Sequence, residues 1–303
     1  MTWCVILPRR LTRAVALRLP GPRGRASLGR RLERPDEVRD VLSAKGVFQE
    51  ILDDDEAFRL FCSIAASGEA QGGWENGRIA ALLPDGMGYL TPRVARHGAD
   101  EDKHGRIFNA LMRKRGLTPV PVPPETDYTM LLERAGIGLS HQKLSGEQPL
   151  DERDVVAYLA HSRVTEQRAS EQMQLLVRYF GEDPDIGRAV RMICQDEDNH
   201  LAYCHEELLR LAATGRGRQI KDLLDGAAEV EIRVYRDVSR EVMARMAEIL
   251  RWPRAKTTAI TAGIQGVYAF ERVGGWYRMV SLHMPERRGA LDGPAAAVAA
   301  EFG

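Results

Sequence analysis

The sequence predicts an all-α fold built on four long helices paired as two hairpins. Three observations carry that prediction. Aromatic residues make up only 6% of the chain while Ala, Leu, Arg and Glu are abundant, a balance that favours helix over sheet. Two stretches, Asp100-Glu101-Asp102-Lys103-His104 and Asp196-Glu197-Asp198-Asn199-His200, each set a glutamate and a histidine three residues apart. On a helix that spacing sends both side chains off one face, one turn apart. A lone glutamate precedes each stretch: Glu69 lies 32 residues before Glu101, and Glu166 lies 31 before Glu197. Turn sequences, Leu83-Pro84-Asp85-Gly86 and Phe180-Gly181-Glu182-Asp183-Pro184, fall near the midpoints. A hairpin closed at either turn brings its lone glutamate level with its Glu-x-x-His pair.

Taken in order, the elements follow from local signals. Asp53-Asp54-Asp55-Glu56 places negative charge at a helix start, where it complements the helix dipole, so the first bundle helix is expected over 55–82. The second is expected over 90–115, ending at Arg115-Gly116. Leu117 to Pro124 carries four prolines and cannot be helical, which makes 117–150 a long crossover with one short helix near 127–136. Asp151 is placed to cap a third helix reaching about 180, and the fourth is expected over 185–213 before Thr214-Gly215. Two further helices, over 218–251 and 255–281, flank Trp252-Pro253. The domain expectation is therefore an Arg-rich, disordered tail over 1–40, a bundle over 41–215, a helical extension packed on it over 216–283, and a flexible tail over 284–303.

Composition excludes several classes of function. The chain of 303 residues is 44% hydrophobic and 28% charged, with a formal net charge of zero. That suits one large domain, or one with an appendage, and gives no general drive toward nucleic acid or membrane. Residues 1–39 hold ten arginines, no lysine and three acids. A disordered tail or an early start codon explains them better than a targeting or nucleic-acid-binding arm does. The four cysteines, Cys4, Cys62, Cys194 and Cys204, have no Cys-x-x-Cys spacing, which fits a reducing, cytoplasmic setting. No apolar run reaches the roughly 18 residues a membrane span requires.

Four carboxylates and two imidazoles converging from four helices are the ligand set of a di-iron or di-manganese carboxylate bundle. On these motifs, their order and their spacing, residues 50–213 resemble the ferritin-like superfamily. Asp100 to Gly105 resembles the first motif of the acyl-carrier-protein desaturases, and Gln195 to His200 the second. The resemblance implies a ferritin-like four-helix bundle with a long crossover and two extra C-terminal helices. It also implies a metal pair held by Glu69, Glu101, His104, Glu166, Glu197 and His200. Glu101 and Glu197 would bridge, Glu69 and Glu166 would be terminal, and each histidine would cap one metal. A carboxylate holding the outer N–H of a metal-bound imidazole fixes its tautomer. Asp196 would do this for His104, and Asp100 for His200. Oxygen-rich ligands suit two iron ions, with manganese the alternative, better than zinc.

Other polar residues are weighed against these. Glu75 and Glu171 are rival lone glutamates, misplaced by nearly two turns. His97, seven residues before His104, sits two turns away from it, and ligation by His97 is not expected. His161 and His205 fall off the ligand stripe, and Cys194 and Cys204 are expected to be small core residues. Ala65, Ala66, Gly72 and Gly73 surround Glu69, which means either open space or close helix packing.

Departures from named subfamilies leave the assignment at the superfamily. Ala169 stands where desaturases carry threonine, Ile193 and Cys194 stand where arylamine N-oxygenases add a histidine, and no rubredoxin-like Cys-x-x-Cys exists. The expected function is an oxidase or oxygenase that uses dioxygen and an external electron donor on a small organic substrate. Partners would include no nucleic acid and no membrane, with a homodimer left open. The alternatives are iron oxidation or peroxide removal without an organic substrate, and a helical interaction protein with a vestigial metal site.

Overall fold

The computed structural model describes residues 42–282. The arginine-rich start and the tail from Met284 lie outside that range. Among the described residues every regular element is helical and none is a strand. In chain order the α-helices are α1 (Ala44–Asp53), α2 (Asp55–Leu82), α3 (Thr91–Lys114), α4 (Tyr128–Arg134), α5 (His141–Ser145), α6 (Glu152–Phe180), α7 (Gly187–Leu211), α8 (Gly217–Ile249), α9 (Arg254–Phe270) and α10 (Tyr277–Val280).

The long helices start and stop where local chemistry dictates. The Asp54 carboxylate accepts from the amides of Glu56 and Ala57 and caps α2. Pro92 stands in the first turn of α3, and Arg113 and Lys114 close its last turn against the dipole. Gly116, at φ 70°, ends that helix in the left-handed conformation glycine tolerates. Asp151 and Asp154 form a reciprocal capping box at the head of α6. Gly215, at φ 93°, breaks the chain between α7 and α8.

Contacts fix the directions. Gly105 faces Ala66 and Glu69 while Gly98 faces Gly73 and Asn76, so α2 and α3 run antiparallel. Ser170 bonds Asp198 at 2.8 Å and Tyr158 meets Tyr203 at 2.7 Å, which makes α6 and α7 a second antiparallel hairpin. Arg93 reaches Glu206 at 3.1 Å and His104 reaches Asp196 at 3.0 Å, so the motif-bearing helices α3 and α7 are also antiparallel neighbours. Residues 115–151 join the hairpins. Arg78 secures them by donating to the carbonyls of Leu144 (2.8 Å) and Gly146 (2.7 Å).

Two apolar cores stand at opposite ends of these helices. One gathers Phe58, Phe61, Phe108, Met112, Met173 and Ile193, and the other gathers Leu90, Val94, Leu159, Cys204, Leu208 and Leu224. Between them every long helix turns polar inward: Glu69, Glu101, Glu166 and Glu197 are all fully buried. Burial of the apolar ends supplies the stabilisation that offsets the cost of this polar middle.

The C-terminal helices dock on α6 through a buried ion network. Arg168 donates to Glu231 of α8 at 2.8 Å and to Glu271 at 2.7 Å, and Tyr128 of the crossover also donates to Glu231 at 2.9 Å. Three local expectations are corrected. A separate helix, α1, precedes the first bundle helix because Asp54 breaks the run and caps anew. The crossover carries two helices rather than one, α5 being capped by the Ser140 hydroxyl. The expected helix over 255–281 stops at Phe270, where a wide turn over Glu271–Gly275 precedes α10.

Candidate metal centre

Seven side chains converge between the two apolar cores. Four of them, His97, Glu101, Glu166 and His200, place one ligand atom each within 4.8 Å of one another. Glu69, Glu101, His104 and Glu197 form a second such group. Either group could hold a metal ion, and Glu101 belongs to both. Its Oε1 lies 3.2 Å from His97 Nε2 and 3.5 Å from His200 Nδ1. Glu197 also spans the groups, with Oε1 3.5 Å from His104 Nδ1 and Oε2 3.7 Å from His200 Nδ1.

The three imidazoles present one nitrogen inward; His104 and His97 have the other hydrogen-bonded from behind, and His200 faces Asp100 without a hydrogen bond. His104 turns Nδ1 toward Glu69 at 3.4 Å, with Nε2 3.0 Å from Asp196. His200 turns Nδ1 inward and Nε2 toward Asp100 at 3.5 Å. His97 reverses the ring: Nε2 points inward, 3.1 Å from Glu166, and Nδ1 lies 2.8 Å from the Tyr203 hydroxyl. Outer partners of this kind orient a ligand and raise its basicity. Lys103 joins two of them, its ammonium 2.6 Å from Asp100 and 2.7 Å from Asp196. Burial would raise both aspartates, but the histidine each faces and the Lys103 charge together hold them below the usual carboxylate range.

The donor set fits metal ions. Neither oxygen of Glu166 or of Glu197 takes a hydrogen bond, nor does Nδ1 of His104 or His200. Buried carboxylates normally have hydrogen bonds, and a cation among these atoms would supply the missing stabilisation. Without a cation, protons must balance the charge. Burial pushes Glu69 up, and burial with the Glu166 charge pushes Glu197 well above the usual range. For Glu101 and Glu166 burial acts the same way, but attraction to His97, joined at Glu166 by His200, holds both low. Burial opposes charge on His104, yet Asp196 and Glu69 raise it to about 10.

The structure brings together Glu69, Glu101, His104, Glu166, Glu197 and His200, with Asp100 and Asp196 behind the histidines. His97, for which ligation was not expected, is fully buried and stands in the first group, which makes it a candidate ligand. Seven residues from His104, it lies only four from Glu101, and that i, i+4 spacing was the signal in the sequence. Lys103 and Tyr203 are two further residues that motif reading did not single out. Glu75 and Glu171 stand outside both groups. The small residues around Glu69 divide in role. A Cβ on Gly73 would meet Asp102 Oδ1 at 2.4 Å and the Gly98 carbonyl at 3.1 Å, which is close helix packing. A Cβ on Gly72 would stand 3.1 Å from Glu101 Oε2, beside the centre itself.

No helix of the described residues is long and apolar enough to cross a membrane. Comparison with known proteins finds no matching family model, no matching curated protein and no matching solved structure.

Proposed function

We propose that this chain is a ferritin-like oxidase or oxygenase holding two iron ions, or two manganese ions, and using dioxygen to oxidise a small organic substrate. The observation that supports this reading is that Glu101 belongs to both buried ligand groups, as expected if two metal ions lay side by side. Four carboxylates with three imidazoles form an oxygen-rich set suited to iron or manganese rather than to a closed zinc site. A bound pair of such metals supplies the electron transfer and dioxygen chemistry that amino-acid side chains lack.

The chain does the rest. Asp196 and Tyr203 hold the rings of His104 and His97, and Asp100 faces that of His200. The apolar cores on either side exclude water from the four glutamates. An external reductant would deliver electrons, since nothing in the sequence suggests a flavin or iron–sulfur site of its own.

Metal analysis of the purified full chain tests the reading. Two iron or manganese ions per chain are expected, and the double variant Glu101→Ala/Glu197→Ala should hold none while staying helical by circular dichroism. Unchanged metal content in that variant would overturn the ligand assignment. Iron that stays bound through repeated cycles of reduction and oxygen exposure supports an oxygenase. Iron shed at every cycle would replace that reading with iron handling.

A further inference from the structure

A cleft lies beside the centre, between α2 and α6, roofed by α4 and by Leu139 and Leu144 before and within α5. Its cavity volume is about 40 Å³, and the space grows to about 520 Å³ when the open region at its mouth is included. Gly72 lines it, and the Glu101 carboxylate stands directly behind that glycine. Asn76 and Tyr158 also line it and connect it to the centre. The Tyr158 hydroxyl donates to Asn76 at 2.6 Å and lies 2.7 Å from the Tyr203 hydroxyl, whose next neighbour is His97 Nδ1 at 2.8 Å. The far walls are apolar, formed by Ile79, Leu132, Leu139 and Leu144.

The charge of the lining selects its occupant. Glu75 and His161 face the cleft, and neither a lysine nor an arginine lines it. The carboxylates of Glu133 and Asp127 add their negative field at Glu75. Burial, reinforced by those two, pushes the Glu75 carboxyl up to about 7, as befits an acid short of positive charge. His161 Nε2 is buried without a hydrogen bond, and burial holds that ring neutral by lowering it to about 4. An anionic head group would meet the Glu75 carboxylate and no counter-ion. A cationic N–H donor would meet a carboxylate and an imidazole nitrogen able to accept.

We propose that this cleft binds a small amine, with its ammonium on Glu75 and its apolar body against Leu132, Leu139 and Leu144. The assignment deepens the oxygenase reading by naming its substrate class, and it rests on that reading only for what becomes of the amine. Binding itself needs no metal.

Three probes with one body and different heads test it: benzylamine, benzyl alcohol and benzoate, titrated against the full chain by ligand-observed NMR, with metal content measured on the same samples. Benzylamine should bind saturably and more tightly than the alcohol, and benzoate should not bind. Glu75→Gln should weaken benzylamine by about tenfold or more, as expected for losing a charge-assisted hydrogen bond, and leave the alcohol unchanged. Thr129→Trp, at the half-exposed mouth, should block both and guards against misfolding of the first variant. Benzoate binding as well as benzylamine, no benzylamine binding, or benzylamine binding indifferent to both variants would overturn the assignment. Amine binding in a chain that takes up no metal would leave the cleft standing and remove the metal centre. Two bound metals with no amine binding would do the reverse.

Discussion

The imidazole of His97 stacks on that of His200, ring centroids 3.8 Å apart and planes 25° from parallel. Both rings serve the group that contains Glu166, whereas the other group has His104 alone. The two candidate ligand groups are therefore unequal, one with two imidazoles and two carboxylates and one with a single imidazole and three carboxylates.

That inequality is testable with His97→Ala. The substitution leaves Glu101, Glu166 and His200 in the first group and removes no member of the second, although Glu101, which both share, loses its contact with His97. Metal titration should show one site weakened by at least about tenfold and the other unchanged. Equal weakening of both sites, or of neither, would remove His97 from the ligand set.

His104 sets a pH dependence. Its imidazole is raised from 6.5 to about 10, so its contribution to the stability of the metal-free protein is fully present below pH 6.5 and is lost as pH rises through 10. Thermal melts of chelator-treated protein should fall over that window, and His104→Gln should flatten the fall. Metal must displace the same proton, so metal affinity should rise with pH. Calorimetry in buffers of different ionisation enthalpy should register proton release on binding.

The α2–α3 contact yields a contrast between two glycines. A Cβ on Gly98 would stand 3.0 Å from the Gly73 carbonyl oxygen, a backbone atom that cannot swing aside. Gly98→Ala should cost about 1–3 kcal/mol in urea denaturation. Gly77, exposed on the same helix pair, has nothing within 4 Å of such a Cβ. Gly77→Ala should stabilise by about 0.5–1 kcal/mol.

Arg168, two residues beyond Glu166, is buried between Glu231 and Glu271. Arg168→Met removes the Arg168 charge from Glu231, which keeps the Tyr128 hydroxyl, while Glu271 keeps Arg278 at 2.6 Å, and should cost about 3 kcal/mol. Adding Glu231→Gln to that variant should recover part of the loss. Denaturant melts of the single and double variants check both statements.

The four long helices were legible in the sequence because their ligands recur at fixed helical spacing and their ends carry caps that act locally. Asp54, Asp151 and Gly116 needed no tertiary context. Of the short elements, α4 was legible and α1 and α5 were not: α1 is a separate amphipathic helix that buries Val47, Phe48, Ile51 and Leu52, and α5 is a five-residue turn that buries Leu144. His97 was missed by counting from His104 instead of from Glu101. Lys103, Tyr158 and Tyr203 could not be recognised by any motif, since each acts on a residue of another helix. Their roles exist only once α3, α6 and α7 are side by side.

The aspartates behind the histidines are exchanged between the hairpins. Asp100 of α3 stands behind His200 of α7, and Asp196 of α7 stands behind His104 of α3, with the Lys103 ammonium clasping both acids. Neither half of the chain therefore carries a finished nest of its own. If the centre holds metal, its full set of ligands and their outer partners would exist only after α7 has been made and docked, so completion of the site would wait on the end of the second hairpin.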